Sequence, residues 1–228
     1  TQKTTSYSSY MRIKALLSLP FAKFIVWRNN FWKKNAVKAQ KKVMLSLINQ
    51  AKNTAFGKDH CFSDINNYED FKKHIPIREY EKIKSYIERI ISGEKNVLWP
   101  GKPLYFSKTS GTTSGSKYIP ISKESMPKHI IAARDAILAY IAETKNTSIV
   151  NGKMIFLQGS PLLKNTGGVL TGRLSGIVAH HIPSYLIKNR LPSFEVNCIE
   201  DWEEKVSAIV DETISEDMSV ISGIPPWV

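Results

Sequence analysis

Cysteine is scarce in this sequence, because the 228 residues include only Cys61 and Cys198. The two positions lie far apart and match neither a metal-ligand spacing nor a redox motif. This excludes a disulfide scaffold and a cysteine-based zinc module. The sequence therefore predicts two reduced, mostly buried thiols in a cytoplasmic protein, and it predicts no metal site.

Long hydrophobic runs are also missing. The most apolar stretch near the beginning, residues 15–27, is interrupted by Lys23, and Pro20 is expected to break a helix there. A bilayer span needs about 20 apolar residues, so this stretch is too short. No signal-peptide cleavage pattern follows it. The sequence predicts no transmembrane segment.

Acidic residues are absent from the first 50 positions, which contain ten Lys or Arg. Residues 51–228 are nearly neutral, with 22 Lys or Arg and 20 Asp or Glu. The basic N-terminal arm, residues 1–35, has two interpretations: an anchor for a membrane or an acidic partner, or a pair of helices with a solvated basic face. No nucleic-acid-binding module is recognisable, so the second is favoured and no nucleic-acid partner is expected.

Hydrophobic periodicity separates two regions after this arm. Residues 36–53 and 79–92 have apolar positions at helical spacing, which indicates a helical shell. From residue 97 onward, apolar strand candidates at 104–106, 118–121, 153–157 and 218–221 alternate with helices at 122–142 and 199–215, and residues 159–176 are interpreted as a glycine-rich loop. The predicted fold class is α/β, with a helical shell followed by a mixed sheet with flanking helices.

The segment between the first two strand candidates carries the clearest chemistry. Its hydroxyl, glycine and lysine residues are Thr109, Ser110, Gly111, Thr112, Thr113, Ser114, Gly115 and Lys117. Glycines allow close backbone approach, N–H and hydroxyl groups donate to phosphate oxygens, and a lysine adds a cation. The spacing differs from the Walker motif, with Tyr118 after the lysine, so a P-loop enzyme is disfavoured but a polyphosphate site is predicted.

The string Ser-Gly-Thr-Thr-Ser-Gly-Ser-Lys at 110–117, followed by Ile-Pro and a helix, resembles the first nucleotide motif of the adenylate-forming superfamily, which includes firefly luciferase and acyl-CoA synthetases. The sequence is most similar to the auxin-responsive-promoter family of acyl-acid amido synthetases, in its bacterial form. Further stretches that carry this resemblance lie at 56–58, 68–73, 87–101, 201–205 and 222–227. The resemblance extends over nearly the whole chain from residue 36.

This resemblance implies a ligase that uses ATP and Mg²⁺ to convert a carboxylic acid to an acyl-adenylate, which an amine or amino acid then attacks to give an amide. It implies that the 109–117 segment grips the nucleotide phosphates. The acid-contacting arginine of plant members has no clear counterpart here, and Arg134, on the helix after this segment, is either a candidate for that contact or a solvated helix residue. Trp227 is a candidate for the lining of the acyl or nucleotide pocket, or for the core. Residues 36–228 would form an incomplete large adenylation domain, without its later part or the small C-terminal domain. The chain alone is therefore expected to be inactive, and no catalytic side chain is identified in it.

Two alternatives stay open. The acceptor could be coenzyme A or another thiol instead of an amine, or the chain could be a non-catalytic binding module that uses its basic arm. The pairs His180–His181, Glu200–Asp201 and Gly167–Gly168 are interpreted as structural, the glycine pair as part of a flexible connection. The identities of the acid and the acceptor, and the oligomeric state, are not given by the sequence.

Overall fold

The computed structural model describes residues 2–109 and 116–223, with side chains from residue 15 onward except that of Tyr185. The α-helices are Gln2–Lys34 (α1), Ala36–Ala51 (α2), Ala55–Asp59 (α3), Tyr68–His74 (α4), Lys84–Ile91 (α5), Met126–Thr144 (α6), Leu174–Ala179 (α7), Ser184–Ile187 (α8), Phe194–Cys198 (α9) and Trp202–Thr213 (α10). The strands are Tyr105–Thr109 (β1), Lys117–Ile121 (β2), Lys153–Phe156 (β3), Lys164–Thr166 (β4), Val169–Gly172 (β5), Arg190–Leu191 (β6) and Met218–Ser222 (β7). The predicted α/β class is confirmed.

The chain divides into two compact units. The first, called here the parallel-sheet unit, comprises Thr1–Asn30, Pro127–Leu162 and Arg173–Val228. The second, the mixed-sheet unit, comprises Phe31–Met126 and Leu163–Gly172. Each unit has its own sheet and its own apolar core, and each is described by itself below.

The mixed-sheet unit contains the predicted helical shell. Asn67 caps α4, since its side chain accepts a hydrogen bond from the Asp70 N–H, and Gly93 follows α5 with a φ of +100°. Ile87 and Ile90 of α5 pack with Phe106 of β1 in a core that excludes water almost completely. The spacing of these isoleucines, one helical turn apart, is what made the helix predictable.

The four-stranded sheet of this unit has the order β2-β1-β5-β4. β1 is antiparallel to β2 and parallel to β5, and β5 is antiparallel to β4, so the sheet is mixed as predicted. The strand candidates on both sides of the 109–117 segment are confirmed as a paired antiparallel set. Residues 110–115 lie outside the described part of the chain.

The prediction of a loop over residues 159–176 is wrong, because this stretch contains β4, β5 and the start of α7. Gly167 and Gly168 join β4 to β5 with φ values of +60° and +76°, which matches the two-residue turn that antiparallel strands favour. A Cβ at Gly167 would collide with the Ile91 carbonyl oxygen. The glycines therefore form a tight hairpin turn instead of a flexible connection.

In the parallel-sheet unit, α1 packs against α6. Ala22 and Ile25 are buried with Leu138 and Ile141, in a core separate from that of the mixed-sheet unit. The expected helix break at Pro20 is wrong, because α1 continues through it. Pro20 lies on an exposed side of the helix, as does Leu16, whose carbonyl loses its hydrogen bond to the proline. The buried contacts two and five residues after Pro20 hold the helix together.

The second sheet is entirely parallel, with the order β6-β3-β7. The strand predictions for 153–157 and 218–221 are confirmed. The helix predicted over 199–215 is shorter at both ends. It begins at Trp202 and is capped by Asp201, whose carboxylate accepts the Glu204 N–H at 2.9 Å. The acidic residues at this position are therefore helix-capping groups, as interpreted from the sequence.

Both thiols are more accessible than predicted: Cys61 is exposed and Cys198 is half-buried. Cys61 follows α3 in a surface turn, where a thiol has no core to enter. Among the described residues, no helix is long and apolar enough to span a lipid bilayer.

Candidate nucleotide-phosphate site

The two ends of the candidate phosphate-binding segment are held by the β1–β2 pairing. Thr109 at the end of β1 is the register partner of Lys117 at the start of β2. Directly opposed residues of paired strands point to the same face of the sheet, so the hydroxyl and the ammonium group share one face. The preceding pair, Lys108 and Tyr118, points to the other face. Ser110–Gly115, the remaining predicted phosphate ligands, lie outside the described residues.

Tyr80 supports this end of β2. Its hydroxyl accepts a hydrogen bond from the Tyr118 N–H at 2.9 Å, and the Lys117 Nζ lies 5.6 Å from the centre of its ring. The ring face attracts the ammonium group and the hydroxyl fixes the neighbouring backbone. Tyr80 therefore positions Lys117 in two ways. No signal in the sequence marks Tyr80, because a lone tyrosine in the helical shell has no motif around it.

The connection from β2 to α6 is also fixed. The Trp99 indole donates to the Glu124 carboxylate at 3.0 Å, and the Ser122 hydroxyl accepts from the Ser125 N–H at 3.1 Å. The pKa of Glu124 is lowered by hydrogen bonds from its own backbone N–H, from Ser122 and from Trp99. Together with the Tyr80 hydrogen bond, these contacts hold both ends of the strand that carries Lys117.

Arg134, the candidate for acyl-substrate contact, lies on α6 in the parallel-sheet unit. Its Nε and Nη2 donate to the Asp135 carboxylate at 2.9 and 2.7 Å, and Asn29 donates to the same carboxylate at 3.2 Å. Burial works against ionisation of Asp135, but the bonds from Arg134 and Asn29 outweigh it and lower its pKa. The role of Arg134 towards an acid stays a prediction, and Trp227 lies outside the described residues.

The parallel-sheet unit contains polar groups that sequence reasoning missed. Arg190 of β6 lies over the Phe156 ring at 5.9 Å, and its Nε and Nη2 are buried without a hydrogen-bond acceptor in the described part of the chain. The Nε2 of Gln158, which follows β3, is likewise buried without a hydrogen-bond acceptor among the described residues. Burial lowers the pKa of the Arg190 guanidinium. Arg190 is the first residue of β6 and pairs with Met154 of β3. Because a buried donor without an acceptor is costly, each of these donors is a candidate for a hydrogen bond to an oxyanion.

Comparison with known proteins gives a family. The sequence model described as the GH3 family N-terminal domain matches residues 30–196. Jasmonoyl–L-amino acid synthetase JAR4 of Nicotiana attenuata is 28% identical over 142 residues, which cover 61% of this chain and 24% of the relative. Indole-3-acetic acid-amido synthetase GH3.15 of Arabidopsis thaliana is 41% identical over 64 residues, which cover 27% of this chain and 11% of that protein.

Solved structures give the same fold. The structure described as AtGH3.15 acyl acid amido synthetase in complex with 2,4-DB superposes with a TM-score of 0.64 at 19% identity, over 70% of this chain and 28% of that one. A second structure of GH3.15 acyl acid amido synthetase gives a TM-score of 0.58 at 20% identity, over 73% and 29%. The chain thus spans about a quarter of the length of the relatives it matches.

Proposed function

The chain belongs to the GH3 family, and on that premise we propose that it is part of an ATP-dependent ligase that joins a carboxylic acid to an amine. The observation that supports this most is the pairing of Thr109 with Lys117 at the two ends of a hydroxyl- and glycine-rich segment. Residues 36–228 would be the incomplete adenylation domain and residues 1–35 its basic arm.

The proposed reaction has two steps. A carboxylate oxygen of the acid attacks the α-phosphorus of ATP, which forms a mixed anhydride with AMP and releases pyrophosphate. The nitrogen of the amine then attacks the acyl carbon, which forms the amide, loses a proton and releases AMP. Neither step needs a covalent protein nucleophile, so alignment and charge stabilisation are the main demands on the protein.

Residues of this chain can provide the alignment and charge stabilisation around the phosphates of ATP. We assign the phosphate contacts to Thr109, Lys117 and the intervening residues Ser110–Gly115. Lys117 supplies a cation that Tyr80 holds in place, and the hydroxyl of Thr109 lies on the same face. Mg²⁺, when bound, would neutralise phosphate charge, and it is commonly bound mainly through the phosphates themselves, so few ligands from the chain are required.

An amine is the favoured acceptor. The relatives are named as synthetases of jasmonoyl–amino acids and indole-3-acetic acid amides, which favours amide formation over thioester formation. The acid of this protein need not be a plant hormone, since we place it in the bacterial form of the family on the sequence resemblance. We expect it to act in the cytoplasm.

The test is carboxylic-acid-dependent exchange of pyrophosphate into ATP, measured over a panel of acids. It uses the longest chain that the gene encodes, because this chain spans about a quarter of its relatives. Exchange with one class of acid is the expected result, and Lys117→Ala should reduce it by about tenfold or more, the scale of one lost charge-assisted contact. Lys108→Ala is the matched control, because this lysine lies one position before Thr109 on the other face.

The outcomes separate the alternatives. Exchange followed by amide formation from an added amino acid supports the proposal, whereas exchange followed by thioester formation from coenzyme A supports the thiol alternative. No exchange with any acid, by folded protein in the presence of Mg²⁺, contradicts the adenylation step and favours a binding module.

A further inference from the structure

Three different metal-ligating groups converge on the surface of the mixed-sheet unit. The Sγ of Cys61, a carboxylate oxygen of Asp64 and a ring nitrogen of His74 all lie within 4.8 Å of one another. Cys61 follows α3, Asp64 ends the short 3₁₀ turn after it, and His74 is the last residue of α4. We call these three residues the Cys61 cluster. It lies apart in sequence from the candidate phosphate-binding segment.

The backbone turn brings the first two ligands together. Cys61 has a φ of +50° and a ψ of 44°, a left-handed conformation that is uncommon for residues other than glycine. The Asp64 N–H donates to the Cys61 carbonyl at 2.9 Å, which closes the turn. The sequence spacing of the cluster is too irregular to resemble a known metal motif, so only the fold reveals it.

The imidazole of His74 is oriented by a hydrogen bond that leaves its other ring nitrogen free. The His74 Nδ1 lies 2.9 Å from the Asp70 carbonyl oxygen, and a carbonyl can only accept, so Nδ1 carries the hydrogen. Nε2 is then the nitrogen with an available lone pair. A histidine that binds a metal almost always donates its other ring N–H in this way. Asp70 is itself held by Asn67, which accepts its N–H at 3.0 Å.

The other ligand atoms are also available. Within residues 2–109 and 116–223, neither the Cys61 thiol nor the Asp64 carboxylate has a hydrogen bond or ion pair with protein. Thus three groups of different chemistry converge while each keeps a lone pair unused by the fold. Exposed carboxylates alone would not indicate a metal site. A carboxylate beside a thiol and an oriented imidazole does indicate one.

We propose that the Cys61 cluster binds one zinc ion through Cys61, Asp64 and His74. A thiolate, an imidazole and a carboxylate form the mixed donor set that zinc accepts, whereas Mg²⁺ and Ca²⁺ require oxygen ligands. Zinc-ligand bonds of about 2.0–2.3 Å in a tetrahedron separate the ligand atoms by about 3.3–3.6 Å. The ligand atoms now lie within 4.8 Å of one another, so zinc binding would draw the three side chains closer together, with water in the fourth position. Binding converts the thiol to a thiolate and releases its proton to solvent.

The first test needs no change in the cluster. In the 228-residue chain, Cys198→Ser leaves Cys61 as the only thiol, so a thiolate-to-cobalt charge-transfer absorption on addition of Co²⁺ reports on Cys61 alone. The protein is reduced and stripped of metal with a chelator beforehand. We expect the band to saturate at one Co²⁺ per chain and to disappear when one equivalent of Zn²⁺ is added. Absence of a saturable band overturns the proposal.

The second test measures the affinity for Zn²⁺ by competition with a chromophoric chelator. Cys61→Ser and His74→Gln should weaken binding by about 100-fold or more, because loss of a residue that only hydrogen-bonds to a ligand already costs about 10- to 100-fold. Asp64→Asn should weaken it by at least about tenfold. Cys198→Ser and His129→Gln are the matched controls and should bind as the unmodified chain does. Unchanged affinity in His74→Gln, with circular dichroism showing a folded protein, contradicts the proposal.

Zinc binding at this cluster does not depend on the proposed ligase activity. Failure of acid-dependent exchange leaves the metal titration untouched, and failure of the titration leaves the exchange assay untouched. The zinc site and the ligase activity are therefore tested independently.

Discussion

The two units treat buried polar groups differently. In the mixed-sheet unit, the buried side chains of Thr54 and Thr171 both donate to backbone carbonyls, and the core around Phe106 is apolar. In the parallel-sheet unit, the described residues include buried nitrogen or oxygen atoms without a partner on Gln158, Arg190 and Asn197. Such groups lower stability by about 1–3 kcal/mol each. In the part of the chain that the structure describes, the mixed-sheet unit therefore satisfies its buried side-chain polar atoms within its own fold, whereas the parallel-sheet unit leaves three nitrogen donors and one amide oxygen available to a ligand.

The largest expected effect is in the mixed-sheet unit. Phe106 is fully buried, so Phe106→Ala should lower the free energy of unfolding by about 3–5 kcal/mol through lost transfer energy and a cavity. Urea unfolding followed by circular dichroism measures this. A loss below about 1 kcal/mol would mean that the apolar core is not what holds this unit together.

The turn between β4 and β5 gives the next-largest loss of stability, and its two glycines can be compared directly. At Gly167 a Cβ would collide with the Ile91 carbonyl, whereas at Gly168 it would meet open space, although both have positive φ. Gly168→Ala should cost about 1–2 kcal/mol from the left-handed backbone alone. Gly167→Ala should cost about 3 kcal/mol or more, because overpacking is added. Equal losses in thermal or urea unfolding would show that the close approach to α5 is not maintained.

Arg190 tests the parallel-sheet unit in the opposite direction. Arg190→Met should raise the free energy of unfolding by about 1–3 kcal/mol, because an apolar side chain of similar length removes buried donors that lack acceptors. Arg134→Met is the control and should give no increase, since its donors are satisfied by Asp135. A decrease for Arg190→Met would mean that the guanidinium has a partner.

Lys205 gives the smallest effect and a pH dependence. It is buried, its Nζ donates to the Asn197 carbonyl at 2.6 Å, and burial lowers its pKa from the ordinary value of 10.5. The unfolded chain therefore binds more protons between the lowered pKa and 10.5, so stability from this group rises with pH across that window. The unfolding free energy of the unmodified chain minus that of Lys205→Met should therefore become more positive as pH rises towards 10.5. A difference that is constant with pH would contradict this.

The elements predicted from sequence were those with a local signal. The isoleucines of α5, the Asn67 cap and the strands beside the candidate phosphate-binding segment each follow from spacing or from one capping residue. The continuation of α1 through Pro20 could not be predicted, because it depends on packing against a helix more than 100 positions later in the chain.

The same distinction holds for the candidate sites. The 109–117 segment was identified because its chemistry is contiguous in sequence, whereas Tyr80 and the unsatisfied donors of Arg190 depend on tertiary contacts. The exposed position of Cys61 was missed for the same reason: a thiol is usually buried, and only the turn after α3 places this one at the surface.

Equilibrium binding of ATP to the longest chain that the gene encodes is the most direct test of the central claim, that the segment between β1 and β2 holds the phosphates. Isothermal titration should give saturable binding that Lys117→Ala weakens by about tenfold or more and Lys108→Ala leaves nearly unchanged, because only Lys117 shares a face with Thr109. Equal affinities in the two variants, both folded, would contradict the assignment of the phosphates to this segment.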